Sequence, residues 1–290
     1  MPAFAYHRPE SLDEALELLA EYGEEAKVLA GGQSLLPIMS LRLSQPGNLI
    51  DIGRIPELDR IVTVPSGGVA IGATVRHTTA EQSESVRAHA PMVCEALPHV
   101  GHRAIRSRGT VVGSLAHADP AAELPAVALA LGARFAALRV DGRRTIAVSD
   151  FFQGFLTTAL EADELLLGVE FASPPPRTGH VVKEVTRRHG DFAILGIATQ
   201  IGLDHNARVS RAALSFFGAA STPVRVERAE RLLVGEEPSI TLFAEAAEIA
   251  KQDLEPPNDA HGTSAYRKHL AGVLVQKSLI EAVGQIGGSA

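Results

Sequence analysis

Two glycine-bearing stretches are the residues most suited to chemistry. Ala30-Gly31-Gly32-Gln33-Ser34 follows a short apolar run. Glycine turns the backbone with positive φ and lets a ligand approach the main chain. Successive free N–H groups then make a concave donor site for phosphate oxygens, to which Ser34 adds a hydroxyl. Gly109-Thr110-Val111-Val112-Gly113-Ser114 repeats that chemistry. Arg103, Arg106 and Arg108 precede it, and they either anchor the loop, offset ligand charge or form a solvated face. His117 follows; with no serine elbow and no second histidine in register, a hydrogen-bonding role suits it better than base catalysis. A lone glycine pair reads as a plain turn. Two such loops in one chain suit a ligand with two phosphates in a row.

Rival nucleotide signatures are absent. Neither loop is a Walker motif, and no G-x-G-x-x-G opens a helix after a strand. The net charge of −7 and the lack of a basic run argue against nucleic-acid binding. Cys94 is the single cysteine, so the chain can form no internal disulfide and ligate no iron–sulfur cluster alone. Any cluster or metal in the reaction is expected on another chain. The start Met1-Pro2-Ala3-Phe4-Ala5-Tyr6-His7-Arg8 lacks the pattern of a signal peptide. The longest apolar region, Leu124 to Leu131, is too short to span a membrane and contains Pro125. The expected location is the cytoplasm.

The elements around the loops read as follows. Ser11-Leu12-Asp13-Glu14 has capping-box spacing and predicts a helix with Leu12, Leu16 and Leu19 on one face, stopped at Gly23. Lys27 to Leu29 reads as a short strand, and a second apolar segment, Asn48 to Ile52, follows the turn at Pro46-Gly47. Ile61 to Val64 and Val69 to Ile71 flank the turn Pro65-Ser66-Gly67-Gly68, a hairpin signal. Thr78 is placed to cap a helix. Arg134 to Val140 and Thr145 to Val148 flank Asp141-Gly142, a second hairpin. Glu164 to Phe171 reads as a strand. Ser173-Pro174-Pro175-Pro176-Arg177 then marks a domain boundary. Strands are expected at Lys183 to Thr186, Ile194 to Leu203 and Ala212 to Ala219. Helices are expected at about Arg225 to Val234, Ile240 to Ala250 and Ser264 to Val283. Hairpins beside separated helices indicate an α+β fold.

Together these motifs resemble the FAD-binding (medium) subunit of the molybdenum hydroxylases, including aerobic carbon monoxide dehydrogenase and the flavin domain of xanthine dehydrogenase. The resemblance rests on Ala30 to Met39 with Leu41-Arg42-Leu43, on Ile105 to Pro120, on Phe151-Phe152-Gln153-Gly154, on Glu164-Leu165-Leu166 and on Arg187 to Ala193, in family order. It implies a two-lobed FAD-binding domain of the PCMH/vanillyl-alcohol-oxidase-like type over 1–177, with lobes of about 1–53 and 54–177. A C-terminal sheet-plus-helices domain over 178–290 follows.

The resemblance implies that Ala30, Gly31, Gly32, Gln33, Ser34 and Leu35, with Thr110, Val112, Gly113 and Ser114, hold the FAD pyrophosphate. It adds Ala118 to the set and places Glu123 near the flavin's sugar-like chain and Leu166 against the isoalloxazine. It puts Lys183 where the xanthine dehydrogenase branch has a lysine facing the flavin, and Asp191-Phe192 where an aromatic covers the ring. As isolated residues, Glu123 also reads as a surface or cap carboxylate, Leu166 and Phe192 as core residues, and Lys183 as a solvated charge. Phe192 lacks the hydroxyl that a tyrosine there would donate. Val112 stands where the family has a glycine, and a β-branched residue disfavours positive φ. The loop is therefore expected to keep one fewer close approach.

The implied activity is electron transfer. A molybdopterin large subunit and a [2Fe-2S] small subunit are the implied partners, in a dimer of heterotrimers, with an external acceptor beyond. No residue here is expected to act as a general acid or base. A stand-alone FAD oxidoreductase and a flavin-free binding or assembly protein are the other readings.

Overall fold

A computed structural model describes residues 3–65 and 67–287. Ser66 of the first expected hairpin turn, and Met1 and Pro2 of the N-terminal reading, lie outside the described residues. Strand β1 (Ala5–His7) leads into helix α1 (Leu12–Tyr22). The Glu14 N–H donates to Ser11 Oγ at 3.2 Å, as the capping spacing requires. The reciprocal bond goes one residue further back than expected, from the Glu10 N–H to the Glu14 carboxylate. Ala15, Leu16 and Leu19 are buried. Strand β2 (Ala26–Leu29), the short helix α2 (Leu35–Ser40) and strand β3 (Asn48–Asp51) complete the first lobe. Its three strands lie in the order β1-β3-β2, all parallel.

The second lobe opens with the expected hairpin, β4 (Ile61–Thr63) and β5 (Gly68–Gly72). Six helices follow: α3 (His77–Gln82), α4 (Glu84–His89), α5 (Pro91–Ala96), α6 (Arg103–Arg106), α7 (Val111–His117) and α8 (Glu123–Leu131). Thr78 is not a cap; Arg76 holds that position and Thr78 lies inside α3. The region with Pro125 is helical because the proline sits in the first turn of α8, where a missing N–H costs nothing. Strands β6 (Arg134–Arg139) and β7 (Gly142–Ala147) form the second hairpin. A short α9 (Val148–Phe151) and the two-stranded pair β8 (Phe152–Gly154) and β9 (Thr157–Thr158) precede β10 (Leu165–Ala172). The resulting antiparallel sheet runs β4-β5-β10-β6-β7.

The remaining chain forms β11 (Thr178–Val185), β12 (Leu195–Leu203), β13 (Val209–Phe217), β14 (Val224–Arg225), α10 (Glu227–Leu233), α11 (Ile240–Asp253) and α12 (Ser264–Gly287). The expected helix from Arg225 starts two residues later, because Arg225 pairs with Ser215 in the sheet. This antiparallel sheet, β11-β12-β13-β14, is covered on both faces. Its outer face carries Val181, Ile197 and Ile201 against α12, with α10 over β13 and α11 packed on both helices. Its inner face carries Val182, Ala198, Ala213 and Phe217, which join the same core as both lobes and meet α8. Residues alternate between faces along a strand, so β11 directs Lys183 outward and Glu184 inward.

Helix α12 lies so close to β11 that a Cβ at Gly179 would stand 1.8 Å from the Ala282 carbonyl oxygen. Backbone cannot yield there as a side chain can. The expected result for Gly179→Ala is a loss of roughly 3 kcal/mol, at the upper end of overpacking costs. A thermal melt should show this as a midpoint lowered by about 5 °C. Among the described residues, no helix is long and apolar enough to cross a membrane.

Candidate functional site

The two glycine loops are 78 residues apart in sequence and touch in space. An added Cβ at Gly31 would lie 2.7 Å from both the Arg108 carbonyl oxygen and the Gly109 Cα, and 3.0 Å from the Thr110 nitrogen. Only a residue without a side chain permits that approach. The first loop leaves β2, turns at Gly32 with φ +69°, and enters α2. Gln33 donates from Nε2 to the Gly31 carbonyl at 3.2 Å, folding the loop on itself. Among the described residues, no group accepts from the Gly32, Gln33 or Ser34 amides, and the Ser34 hydroxyl has no partner.

The second loop is the start of a helix. Thr110 caps α7, accepting from the Gly113 N–H at 3.1 Å. The Val111 N–H donates to the Val75 carbonyl at 3.1 Å, which leaves the Val112 amide as a free donor of the first turn. Val112 is therefore helical and buried, and its φ is not positive. The position needs no left-handed backbone, so the β-branched side chain of Val112 is accommodated there. Segment 75–77 braces the loop. The His77 N–H donates to the Gly109 carbonyl at 2.9 Å, and Arg76 donates from Nη1 to the Arg108 carbonyl. Of the three preceding arginines, Arg106 is the anchor, reaching Glu81 at 3.2 Å and the Gly101 carbonyl at 3.1 Å.

A cleft of about 700 Å³ opens over both loops. Ala30, Gly31, Gly32, Gln33, Ser34 and Leu35 line one wall, and Thr110, Val112, Gly113 and Ser114 the other. Glu123, Leu166, Asp191 and Phe192 line it as well. Lys27 is the only lysine or arginine among the lining residues, so an anionic ligand would rely on backbone amides for neutralisation. Leu166 is buried beside the point where the β10–β6 ladder shifts register. Glu123 opens α8 and is 6% exposed, so it is not a surface carboxylate. Burial pushes its carboxyl up to about 7. Phe192 is 66% exposed and stands at the rim, which excludes the core reading. It also borders a second cavity of about 1010 Å³, shared through Asp119, Gly190 and Asp191.

Two expected residues lie elsewhere. Lys183 points to the outer face of its sheet, and its Nζ pairs with Glu281 of α12 at 2.6 Å. Ala118 is buried beyond the cleft as the left-handed C-cap of α7. His77 lines the cleft and carried no signal in the sequence. Its imidazole lies beneath Gly109, and an added Cβ there would come within 3.0 Å of the ring. Neither ring nitrogen has a well-formed hydrogen bond. Burial drives its pKa down to about 4, against a weaker upward pull from the Thr110 backbone. His117 also lines the cleft and is lowered by burial.

Residues 2–174 match the family described as the FAD binding domain in molybdopterin dehydrogenase, and residues 180–282 match the CO dehydrogenase flavoprotein C-terminal domain. This chain belongs to that FAD-binding family. The 6-hydroxypseudooxynicotine dehydrogenase complex subunit alpha of Paenarthrobacter nicotinovorans is 38% identical over 97% of this chain and 95% of its own. The nicotine 6-hydroxylase medium subunit of the same organism is 39% identical over 97% and 98%. The structure of carbon monoxide dehydrogenase from Hydrogenophaga pseudoflava, lacking the Mo-pyranopterin moiety, superposes with a TM-score of 0.94 at 36% identity, covering 98% of each chain.

The family's cofactor fits the residues present. FAD carries a pyrophosphate, and two loops with unpartnered amides and a cradle that a Cβ at Gly31 would fill face one cleft. The apolar wall at Leu166 and the rim aromatic Phe192 suit a flat ring system.

Proposed function

We propose that this chain is the FAD-binding electron-transfer subunit of a molybdenum hydroxylase complex. The observation that carries the reading is the contact of Gly31 on Gly109, which sets two rows of free donors against one cleft. Ala30 to Leu35 and Thr110 to Ser114 hold the pyrophosphate. Glu123 meets the ribityl chain, Leu166 packs on the ring, and Asp191 and Phe192 border its exposed edge. When bound, FAD takes up electrons and passes them on. The chain's own residues bind and orient it, exclude water through the Leu166 wall, and leave the Phe192 rim as the way in.

A molybdenum-cofactor large subunit and a [2Fe-2S] small subunit supply the electrons, in a dimer of heterotrimers in the cytoplasm, and an external acceptor removes them. The names of the relatives as complex or medium subunits support this division of labour. Our domain division is 1–177 and 178–290, with lobes of about 1–53 and 54–177, in keeping with three main sheets that each draw their strands from one stretch. The test is FAD titration of the purified chain, with absorbance and mass of any co-purified subunits. A yellow protein, reduced by its partner subunits but silent with substrate alone, is the expected result. A colourless chain that refuses added FAD overturns the reading.

A further inference from the structure

Between the cleft and the surface, His99 and Glu184 pair, and Glu123 lies near enough for both of their charges to act on it. Glu123, at the start of α8, lines the cleft and is buried. Glu184 faces inward from β11 with its side chain 7% exposed. Its Oε1 lies 3.3 Å from His99 Nδ1, while its Oε2 is buried without a partner. His99 follows α5 and keeps a third of its side chain in solvent.

Other charges bear on the group from each neighbouring element. Asp119 acts on Glu123 from the segment before α8. Glu95 of α5 acts on His99, accepts from the Val182 N–H at 3.0 Å and lies 3.7 Å from His180 Nε2. The Lys183–Glu281 pair acts on Glu95 from the outer face. No lysine or arginine pairs with Glu123 or Glu184 among the described residues. The negative charge of Glu184 adds to burial in holding the Glu123 carboxyl above its ordinary value. Burial raises Glu123, and the bond to Glu184 raises His99.

We propose that Glu123, Glu184 and His99 form a proton-storing cluster that takes up a proton from solvent when the flavin in the neighbouring cleft gains negative charge on reduction. This rests on the flavin reading above. The electrons come from the iron–sulfur donor proposed there. Two electrons, with one proton drawn from bulk solvent, would leave the flavin with one added negative charge. The cluster balances it: an N–H bond of the His99 imidazolium breaks, an O–H bond forms on a carboxylate of the cluster, and hydronium or buffer acid in bulk solvent re-protonates the exposed edge of His99, its conjugate base staying in solvent. Reoxidation of the flavin reverses each step.

Two measurements test it. Infrared spectra of the FAD-free full chain, followed from about pH 5 to 9, should show a carboxylic-acid band that titrates near neutrality and shifts in Glu184→Gln. In the FAD-loaded complex, an indicator dye should record about one proton per flavin more for the wild type than for Glu184→Gln at neutral pH, with a shallower pH dependence of the flavin potential in the variant. His99→Gln, changed at a partly exposed residue, should slow this uptake without abolishing it. Flavin content is read by absorbance in every sample. FAD binding without the infrared band, or equal proton uptake in wild type and Glu184→Gln, overturns the cluster alone. The band with no FAD binding overturns the flavin function and the redox linkage with it.

Discussion

Replacing Gly31 with alanine should strip the flavin from the chain. The added Cβ would meet the Arg108 carbonyl and the Gly109 Cα at 2.7 Å. Neither atom can retreat, because the Arg108 carbonyl accepts from Arg76 and the Gly109 carbonyl accepts from the His77 N–H. The loops must separate, and the two donor rows no longer span one pyrophosphate. Overpacking of this kind costs about 1–3 kcal/mol, and the upper figure is roughly a hundredfold in affinity. Gly113→Ala makes the control. Its Cβ would crowd only the Thr110 hydroxyl, which can rotate away at the cost of a helix cap, about 1 kcal/mol. FAD titration by fluorescence should therefore rank Gly31→Ala far below Gly113→Ala. Equal affinities would refute the contact as the basis of the site.

The second large effect is a pair of opposed pH slopes. His77 has a folded pKa of about 4 against 6.5 for the free side chain. The unfolded chain therefore binds the proton first, and stability present above 6.5 is lost as pH falls through about 4. Glu123 is the reverse, about 7 folded against 4.5 free. Its stability is present below 4.5 and is lost as pH rises through about 7. Each shift corresponds to about 3 kcal/mol, so the two slopes largely cancel in the wild type. Single substitutions should expose them. Relative to wild type, His77→Leu should gain about 3 kcal/mol between pH 7 and pH 4. Glu123→Gln should gain a similar amount as pH rises from about 4.5 to 8. Urea unfolding of the FAD-free proteins across pH gives both numbers. Parallel curves for all three proteins would contradict the burial argument.

Much of the scaffold can be read from local signals. The cap at Ser11, the turn at Asp141-Gly142 and the apolar face of the long last helix each depend on residues close in sequence. The helices that follow the glycine loops are less legible, since α2 and α7 are too short to display a helical period. That shortness also explains Val112. A motif that reads as a loop is the first turn of a helix, where a valine is at ease. The meeting of Gly31 with Gly109 is tertiary and leaves no local trace. The direction of Lys183 is hidden for another reason. With β11 covered on both faces, its alternation does not tell which side meets the cleft. His77 stayed silent because a lone histidine in a polar stretch gives no sign that it will be sealed beneath a glycine.

Helix α8 presents Glu123 to the cleft at one end while its flank rests on β12 and β13. The C-terminal stretch is thus part of the wall behind the cleft, although it supplies few of the lining residues. For anyone recombining subunits of this family, the junction at residues 174–180 is a poor crossover point. A chimera joined there would set one parent's α8 against the other parent's sheet and misalign Glu123 with Glu184. Exchange should preserve α8 together with β11 to β13 from a single parent, so that the portable part is larger than either named domain suggests.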